Sequence, residues 1–131
     1  MEIYQVGNGL QQIKMAVDID TFGLAASRAV VFDMATDDPS HNVGCSTNAT
    51  GDISQTPIGQ ATSLQNKRLS VLTKIDLIGD ASFKQKESER LGGKYILDDG
   101  TDGHKVFDNP EKTIANDFSS VILSMYIDFI A

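Results

Sequence analysis

Apolar and polar residues alternate with a period of two along four segments of the chain. The segments are LQQIKMAVDID (10–20), SRAVVFDMA (27–35), RLSVLTKIDLI (68–78) and FSSVILSMYIDFIA (118–131). Successive side chains on a strand point to opposite faces, so this alternation is typical of half-buried β-strands. Helical spacing explains none of the four segments as well. The chain is therefore predicted to be mainly β.

Each of these segments places large apolar residues on one predicted face. The four sets are Ile13, Met15, Val17 and Ile19; Val30, Phe32 and Met34; Leu69, Val71, Ile75 and Leu77; and Val121, Leu123, Met125, Ile127 and Phe129. We expect these faces to be the buried sides of the strands.

Turn signals separate the predicted strands. Gly7-Asn8-Gly9 stands between EIYQV and LQQIKM, and it predicts a tight hairpin because Asn and Gly accept positive φ at little steric cost. Asp99-Gly100 and Asp102-Gly103 are further hairpin signals of the same kind.

Two polar stretches fit more than one local structure. Residues 82–93 fit a short helix, capped by Ser82 and stopped by Gly92, or a polar edge strand whose charges block unwanted pairing. We favour the edge strand. Residues 109–117 fit one helical turn with Asn109 as its N-cap.

The longest irregular region, residues 35–67, is rich in Ser, Thr, Asn and Gln and poor in large apolar residues. It predicts either a loop with short strands near residues 43–45 and 61–64, or an extended arm. Such an arm would reach a ligand or a neighbouring subunit, since loops this long are usually functional.

The whole pattern predicts one domain over residues 1–131, with the polar loop or arm at about 35–67. A length of 131 residues suffices to bury a core without disulfides or a structural metal. Seven or eight strands, with room for one short helix, favour an all-β, antiparallel β-sandwich of an Ig-like or jelly-roll-like kind. A small barrel is the alternative.

The charge balance excludes several kinds of partner. Eighteen acidic against eleven basic residues leave a net charge of −7, which disfavours nucleic acid and anionic membrane surfaces. We expect no membrane insertion and no signal peptide, because no apolar run has the required length. The single cysteine, Cys45, allows no intrachain disulfide. Among compartments we favour a virion or an extracellular setting over the cytoplasm.

Three aspartates within YILDDGTDGHKVFDN (95–109) are the candidate calcium ligands: Asp98, Asp99 and Asp102. A helix-loop-helix calcium loop that starts at Asp98 fails, because its third position is glycine and its twelfth is Asn109. An irregular calcium site remains a hypothesis. The alternative, which we favour, is a solvated hairpin turn.

Other chemistry finds little support in the motifs. His41, Cys45 and His104 are the only soft metal ligands, and no second ligand pair accompanies them. Neither a phosphate-binding glycine motif nor a nucleophile elbow is present. We therefore expect a protein that is not an enzyme and that uses no cofactor.

Basic residues concentrate in one part of the chain. Residues 67–94 hold seven Lys/Arg against four Asp/Glu, a net of +3, whereas residues 1–66 and 95–131 each hold two against seven, a net of −5. This arrangement predicts either cross-strand pairing within one sheet or a basic edge that meets an acidic surface of the next subunit. We favour the intrachain pairing.

Our functional hypothesis is a non-enzymatic structural subunit that self-associates into a homomeric assembly, such as an extracellular filament, a surface array, or a virion or tail component. The interface candidates combine the basic block with the strand-like C-terminal segment. They are Lys84, Lys86, Arg90, Lys94, Ile127, Phe129 and Ile130. The alternative is a small ligand-binding sandwich for a carbohydrate, another small molecule or calcium.

Overall fold

A computed structural model of the chain describes residues 2–33 and 41–131, and the side chain of His41 lies outside this description. Met34 and the first part of the predicted polar loop, residues 35–40, also lie outside it. The described residues form ten strands and two helices. The strands are β1 (Glu2–Gln5), β2 (Gln12–Asp20), β3 (Leu24–Asp33), β4 (His41–Cys45), β5 (Ile53–Gln60), β6 (Lys67–Asp76), β7 (Gly92–Gly100), β8 (Gly103–Phe107), β9 (Glu111–Ile114) and β10 (Ser120–Ile130). The helices are α1 (Ala61–Leu64) and α2 (Ala81–Arg90).

The strands form two sheets that pack face to face. The larger sheet has the order β1-β10-β6-β3-β4, and β9 pairs with β10 on the same side as β1. The smaller sheet has the order β5-β2-β7-β8. Among the described strands, β1 and β10 run parallel and the other pairs are antiparallel. The predicted all-β sandwich is confirmed, although the described residues hold ten strands and two helices instead of seven or eight strands and one helix.

The core lies between the sheets and contains most of the predicted apolar faces. The alternating apolar residues of β2, β6 and β10 are buried, including Ile13, Leu69 and Leu123. The prediction for β3 was wrong, because Ala29 and Val31 face the core while Val30 and Phe32 lie half-buried on the opposite side. β3 has apolar residues on both faces, so its alternation alone does not identify the inward one.

Three local predictions were wrong. Gly7-Asn8-Gly9 does not close a hairpin, because it carries the chain from β1 in one sheet to β2 in the other. The predicted edge strand at 82–93 is helix α2, whose N-cap is Asp80: its carboxylate accepts the Phe83 N–H at 2.8 Å. The predicted helical turn at 109–117 contains strand β9.

The described part of the polar region 35–67 holds two strands and a short helix, with residues 46–52 connecting the two strands. Strand β4 covers the predicted strand near 43–45, and β5 follows it in the opposite sheet. Residues 61–64, predicted as a short strand, form helix α1 with Ala61 and Leu64 buried. Strand β5 carries no period-two signal, because its buried residues Ile53 and Ile58 are five positions apart and its register with β2 shifts twice.

The two sheets are joined along one seam, where β1 meets the β7–β8 hairpin. The Tyr4 hydroxyl donates to the Gly103 carbonyl at 2.6 Å and accepts the Gly100 N–H at 2.9 Å. The Gln5 N–H donates to the Asp102 carboxylate at 2.8 Å, and the Asp102 N–H donates to the Gln5 carbonyl at 3.2 Å. The predicted Asp-Gly hairpin is therefore confirmed, and it also binds the first strand.

We predict that Gly100→Ala destabilises the fold by about 1–3 kcal/mol, because overpacking of a well-fitted contact carries that cost. A Cβ at Gly100 would lie 2.5 Å from Cε2 of Tyr4 and 2.7 Å from the Gln5 carbonyl oxygen. Gly92→Ala is the matched control, since its Cβ would meet no atom within 4 Å. Urea unfolding measures both; equal midpoints for the two variants would show that the seam contact is not tight.

Candidate functional site

The three candidate calcium ligands point to three different partners. Asp98 lies 2.7 Å from Nδ1 of His104, and Asp99 lies 3.2 Å from Nζ of Lys14. Asp102 accepts the Gln5 N–H, as described above. Among the residues that the structure describes, no three His, Cys, Asp or Glu side chains are placed to hold one metal ion. The turn thus uses its carboxylates to hold the fold together instead of gathering them around a cation.

The hydroxyl of Tyr4 is kept protonated at this turn. Burial raises the pKa of Tyr4 above its ordinary value, and the negative charges of Asp98 and Asp102 raise it further. A protonated hydroxyl is what the short bond to the Gly103 carbonyl requires, because that oxygen can only accept.

The two soft ligands whose side chains the structure describes, Cys45 and His104, lie apart. Cys45 is exposed at the end of β4, whereas His104 pairs with Asp98 on the hairpin of the other sheet. The side chain of His41 lies outside the described residues. Cys45 and His104 therefore form no common site.

Two of the predicted interface residues do not lie on the surface. Ile127 and Phe129 are fully buried in the core, where Phe129 packs edge-on against the ring of Tyr4. They were selected for their position near the chain end, but the alternation that made β10 recognisable directs them inward. Ile130 points outward and is partly exposed.

The basic block does not form one edge. Its interface candidates Lys84, Lys86 and Arg90 lie on α2, and Lys94 lies exposed on β7 of the four-stranded sheet. Other basic residues of the block lie on β6, where Arg68 pairs with Asp128 across to β10 at 2.6 Å. This cross-strand pair is of the intrachain kind that the charge pattern predicted.

Arg90 is part of an ion-pair cluster that fixes α2 to the turn after β2. Its guanidinium donates to the buried carboxylate of Glu87 at 2.7 and 2.9 Å and lies 3.2 Å from Asp20. Glu87 also accepts the hydroxyl of Thr21 and the N–H of Phe22. The guanidinium carbon stands 4.8 Å from the ring centre of Phe22, a cation–π contact. Arg90 thus pairs with residues of its own chain.

Glu87 makes this cluster sensitive to acid. Burial by itself raises the pKa of Glu87, but the bonds from Arg90, Phe22 and Thr21 outweigh it and hold the pKa below its ordinary 4.5. A lowered folded-state pKa contributes stability above the unfolded-state pKa and loses it as pH falls through the folded-state value.

We predict that Glu87→Gln lowers the free energy of unfolding at neutral pH by about 1–3 kcal/mol, because it leaves charged donors without their carboxylate. The variant should also lose less stability than the wild type as pH falls below 4.5. Glu89→Gln, an exposed neighbour on α2, is the control and should stay within about 0.5 kcal/mol. Urea titrations at several pH values test this; parallel pH curves for wild type and Glu87→Gln would contradict it.

Large apolar residues lie among charged and polar ones on the side of the six-stranded sheet that turns away from the core. We call this side the outer face. Its large apolar residues are Ile3, Leu24, Leu72, Ile122 and Ile130, which are exposed, and Val30, Phe32 and Tyr126, which are half-buried. Leu72 is 47% exposed at the centre of the sheet, where its register partners are Arg28 and Ser124. A sheet with one solvated face normally presents polar residues there, whereas this sheet carries large apolar residues on both sides.

The outer face is electrically neutral, although the chain as a whole carries −7. By strand register it carries three basic and three acidic side chains, which sum to zero. They are Arg28, Arg68, Lys74, Asp76, Asp128 and Glu111. The opposite surface of the sandwich, on the four-stranded sheet, is more polar and includes Lys14, Asp18 and Lys94. The outer face therefore differs from the opposite surface in hydrophobicity.

A polar groove opens on the side of the sandwich opposite the seam. It lies between the edge strands β4 and β5 and has a volume of about 540 Å³. Its lining includes Thr47, Asn48, Asp52 and Gln55. Several of these groups already serve the fold, since Asp52 accepts the Ile19 N–H and Asn48 accepts the Thr50 N–H.

Comparisons with known proteins identify no relative: no family model, no curated protein and no solved structure matches this chain. Neither helix of the described residues is long and apolar enough to cross a membrane. Function must be inferred from the surfaces described above, and sequence reasoning missed the most distinctive of them. The signal that could have revealed the outer face is the presence of apolar residues at both parities of β3 and β10, such as Val30 beside Val31 and Ile122 beside Leu123.

Proposed function

We propose that this protein is a non-enzymatic structural subunit that self-associates through its outer face into a homomeric assembly. A filament, a surface array, and a virion or tail component are assemblies of this kind. The single observation that carries the proposal is a six-stranded sheet with apolar residues on both of its faces. Exposed apolar side chains grouped on one side of a small domain are typical of an interaction site.

A second copy of the chain is the partner that the charges favour. Copies with a net charge of −7 repel one another in general, and that repulsion is smallest where a neutral face meets a neutral face. Nucleic acid and anionic membranes would instead require a basic surface. The neutral outer face therefore favours self-association over those partners.

A two-fold arrangement suits this surface. In an isologous interface the same patch is used by both copies, so each charge of one copy can meet its opposite on the other. Lys74 and Asp76 occupy successive outward positions of β6. A two-fold axis that passes between them would pair Lys74 of one copy with Asp76 of the other. Leu72 and Ile122 lie beside them and supply the apolar area. Further contacts, of the kind considered below, would extend a dimer into a larger assembly.

We predict that Leu72→Lys converts the multimer to a monomer without changing the fold, because it places an unpaired charge within the apolar contact. Val106→Lys is the matched control, since Val106 has a similar exposure of 43% but lies on the outer side of the four-stranded sheet. Light scattering across protein concentration measures the mass. Circular dichroism and thermal melting verify that both variants remain folded.

Each outcome of this comparison is informative. Loss of the multimer in Leu72→Lys alone supports the outer face as the interface. A wild-type mass near 14.2 kDa at every concentration contradicts self-association, and equal loss in both variants contradicts the assignment to this face.

The groove between β4 and β5 gives a second candidate function, the binding of a small polar ligand. Its polar lining can offer hydrogen bonds, but the lining residues that the structure describes include none of the aromatic side chains on which sugar rings stack, so carbohydrate is the less favoured ligand. Calorimetric titration with simple sugars and with calcium tests this function. Loss of the binding heat in Thr47→Val would support ligand binding in the groove. Binding heat that persists in this variant would place the ligand elsewhere.

A further inference from the structure

We propose that the site that holds β1 is a peptide-binding site, and that it accepts residues 2–6 of a second copy when copies assemble. We call this site the β1 slot. It consists of the edge of β10 over residues 127–130 and of the turn over residues 98–105. This inference extends the proposed function, on which it rests for the presence of a second copy.

The slot recognises the backbone of its occupant on both sides. On one side β1 pairs in parallel with β10, and the Val6 N–H donates to the Ile130 carbonyl at 2.8 Å. On the other side, Asp102 bonds both backbone groups of Gln5, and Nζ of Lys105 donates to the Ile3 carbonyl at 3.2 Å. This is the arrangement by which domains bind an added strand, with main-chain bonds supplying affinity.

The slot also recognises side chains at alternate positions. Tyr4 and Val6 are fully buried, and the Tyr4 ring lies 6.4 Å from that of Phe129. The Tyr4 hydroxyl reaches the backbone of Gly100 and Gly103 at the bottom of the slot. The site therefore selects an extended segment with tyrosine and a small aliphatic residue two positions apart, which is the sequence that every copy of this chain carries.

The connection between β1 and β2 supplies a hinge. Gly7 has a φ of +86°, a conformation that glycine adopts at little cost, and Gly9 follows two residues later. Gln65 donates to the Gly7 carbonyl and to the Asn8 side chain at 2.7 Å, and the Thr62 N–H donates to the Gly9 carbonyl at 3.2 Å. These bonds must open before β1 can leave its own slot. If the hinge extends, β1 of one copy can enter the slot of another and remake the same contacts there, which is why strand exchange costs little.

The slot adjoins the outer face. Ile3 of β1 and Ile130 of β10 are exposed members of that face, beside the backbone that the slot binds. The occupant of the slot therefore contributes one residue, Ile3, to the outer face. Exchange between successive copies would link them head to tail, since each copy gives one strand and receives another.

The test uses two full-length single variants, Gln5→Cys and Ile130→Cys, each with Cys45→Ser. These two positions are register partners in the β1–β10 pair. The proteins are mixed, warmed below their melting temperature, and oxidised. We expect a disulfide-linked species with the mass of two chains, whose yield rises with protein concentration. The double variant with both cysteines in one chain is the positive control, because its intrachain disulfide shows that the geometry permits the bond.

Leu72→Lys separates this inference from the proposed function. If the cross-link forms with Leu72→Lys in both chains, strand exchange occurs without the outer face. If it forms only without Leu72→Lys, exchange depends on outer-face association. If the double variant closes its intrachain disulfide but the mixed single variants never cross-link, even where light scattering shows a multimer, the β1 slot binds only its own strand and the inference is overturned.

Discussion

The bond network around the Tyr4 hydroxyl is the constraint on which the seam of the sandwich depends. The network binds β1, an edge strand of the larger sheet, to the hairpin that closes the smaller sheet. Gly100 is part of this constraint, because any side chain there would occupy the space of the tyrosine ring. The hydroxyl is protonated at neutral pH, and burial raises its pKa further, so one atom can donate to one side of the turn and accept from the other.

Closure of this seam also protects the edge of the larger sheet. An exposed strand edge offers unpaired backbone groups to any extended chain, and proteins usually block it. Here Asp102 and Lys105 bond the outward groups of β1, so the turn that resembled a metal site blocks the edge instead. The same bonds give the seam the character of a binding site whose occupant is part of the chain.

The outer face presents the opposite physical situation. Apolar residues such as Leu72 and Ile122 remain in contact with water, which is unfavourable in proportion to the area exposed. Charge does not oppose their burial, since the face is neutral. A second neutral, apolar face would remove that area from water, and this is the physical reason for proposing a structural subunit that assembles with its own copies.

Much of the architecture could be predicted because the alternation in β2, β6 and β10 is a local property. A strand that buries one face must show its apolar residues at every second position, and Ile13, Leu69 and Val121 do so. The Asp99-Gly100 and Asp102-Gly103 signals were equally local, because residue types that accept positive φ mark a turn by themselves. The structure has a φ of +76° at Asp99 and of +67° at Gly103. Helix α2 was mistaken for a strand because it buries only Glu87 and Ser88, and a helix with so few buried residues lacks an apolar stripe.

The sequence by itself determined the class of the fold, the positions of its main strands, the hairpin turn and the surplus of negative charge. Only the tertiary structure decided that β1 pairs with β10, that Ile127 and Phe129 belong to the core, and that Asp102 caps an edge. The β1–β10 pairing joins residues 125 positions apart and the Asp102 bond joins residues 97 apart, and no local pattern specifies which strand lies beside which. The outer face follows from the same cause: a residue such as Val30 or Leu72 is apolar in the sequence, but only the packing of the two sheets decides whether it meets the core or the solvent.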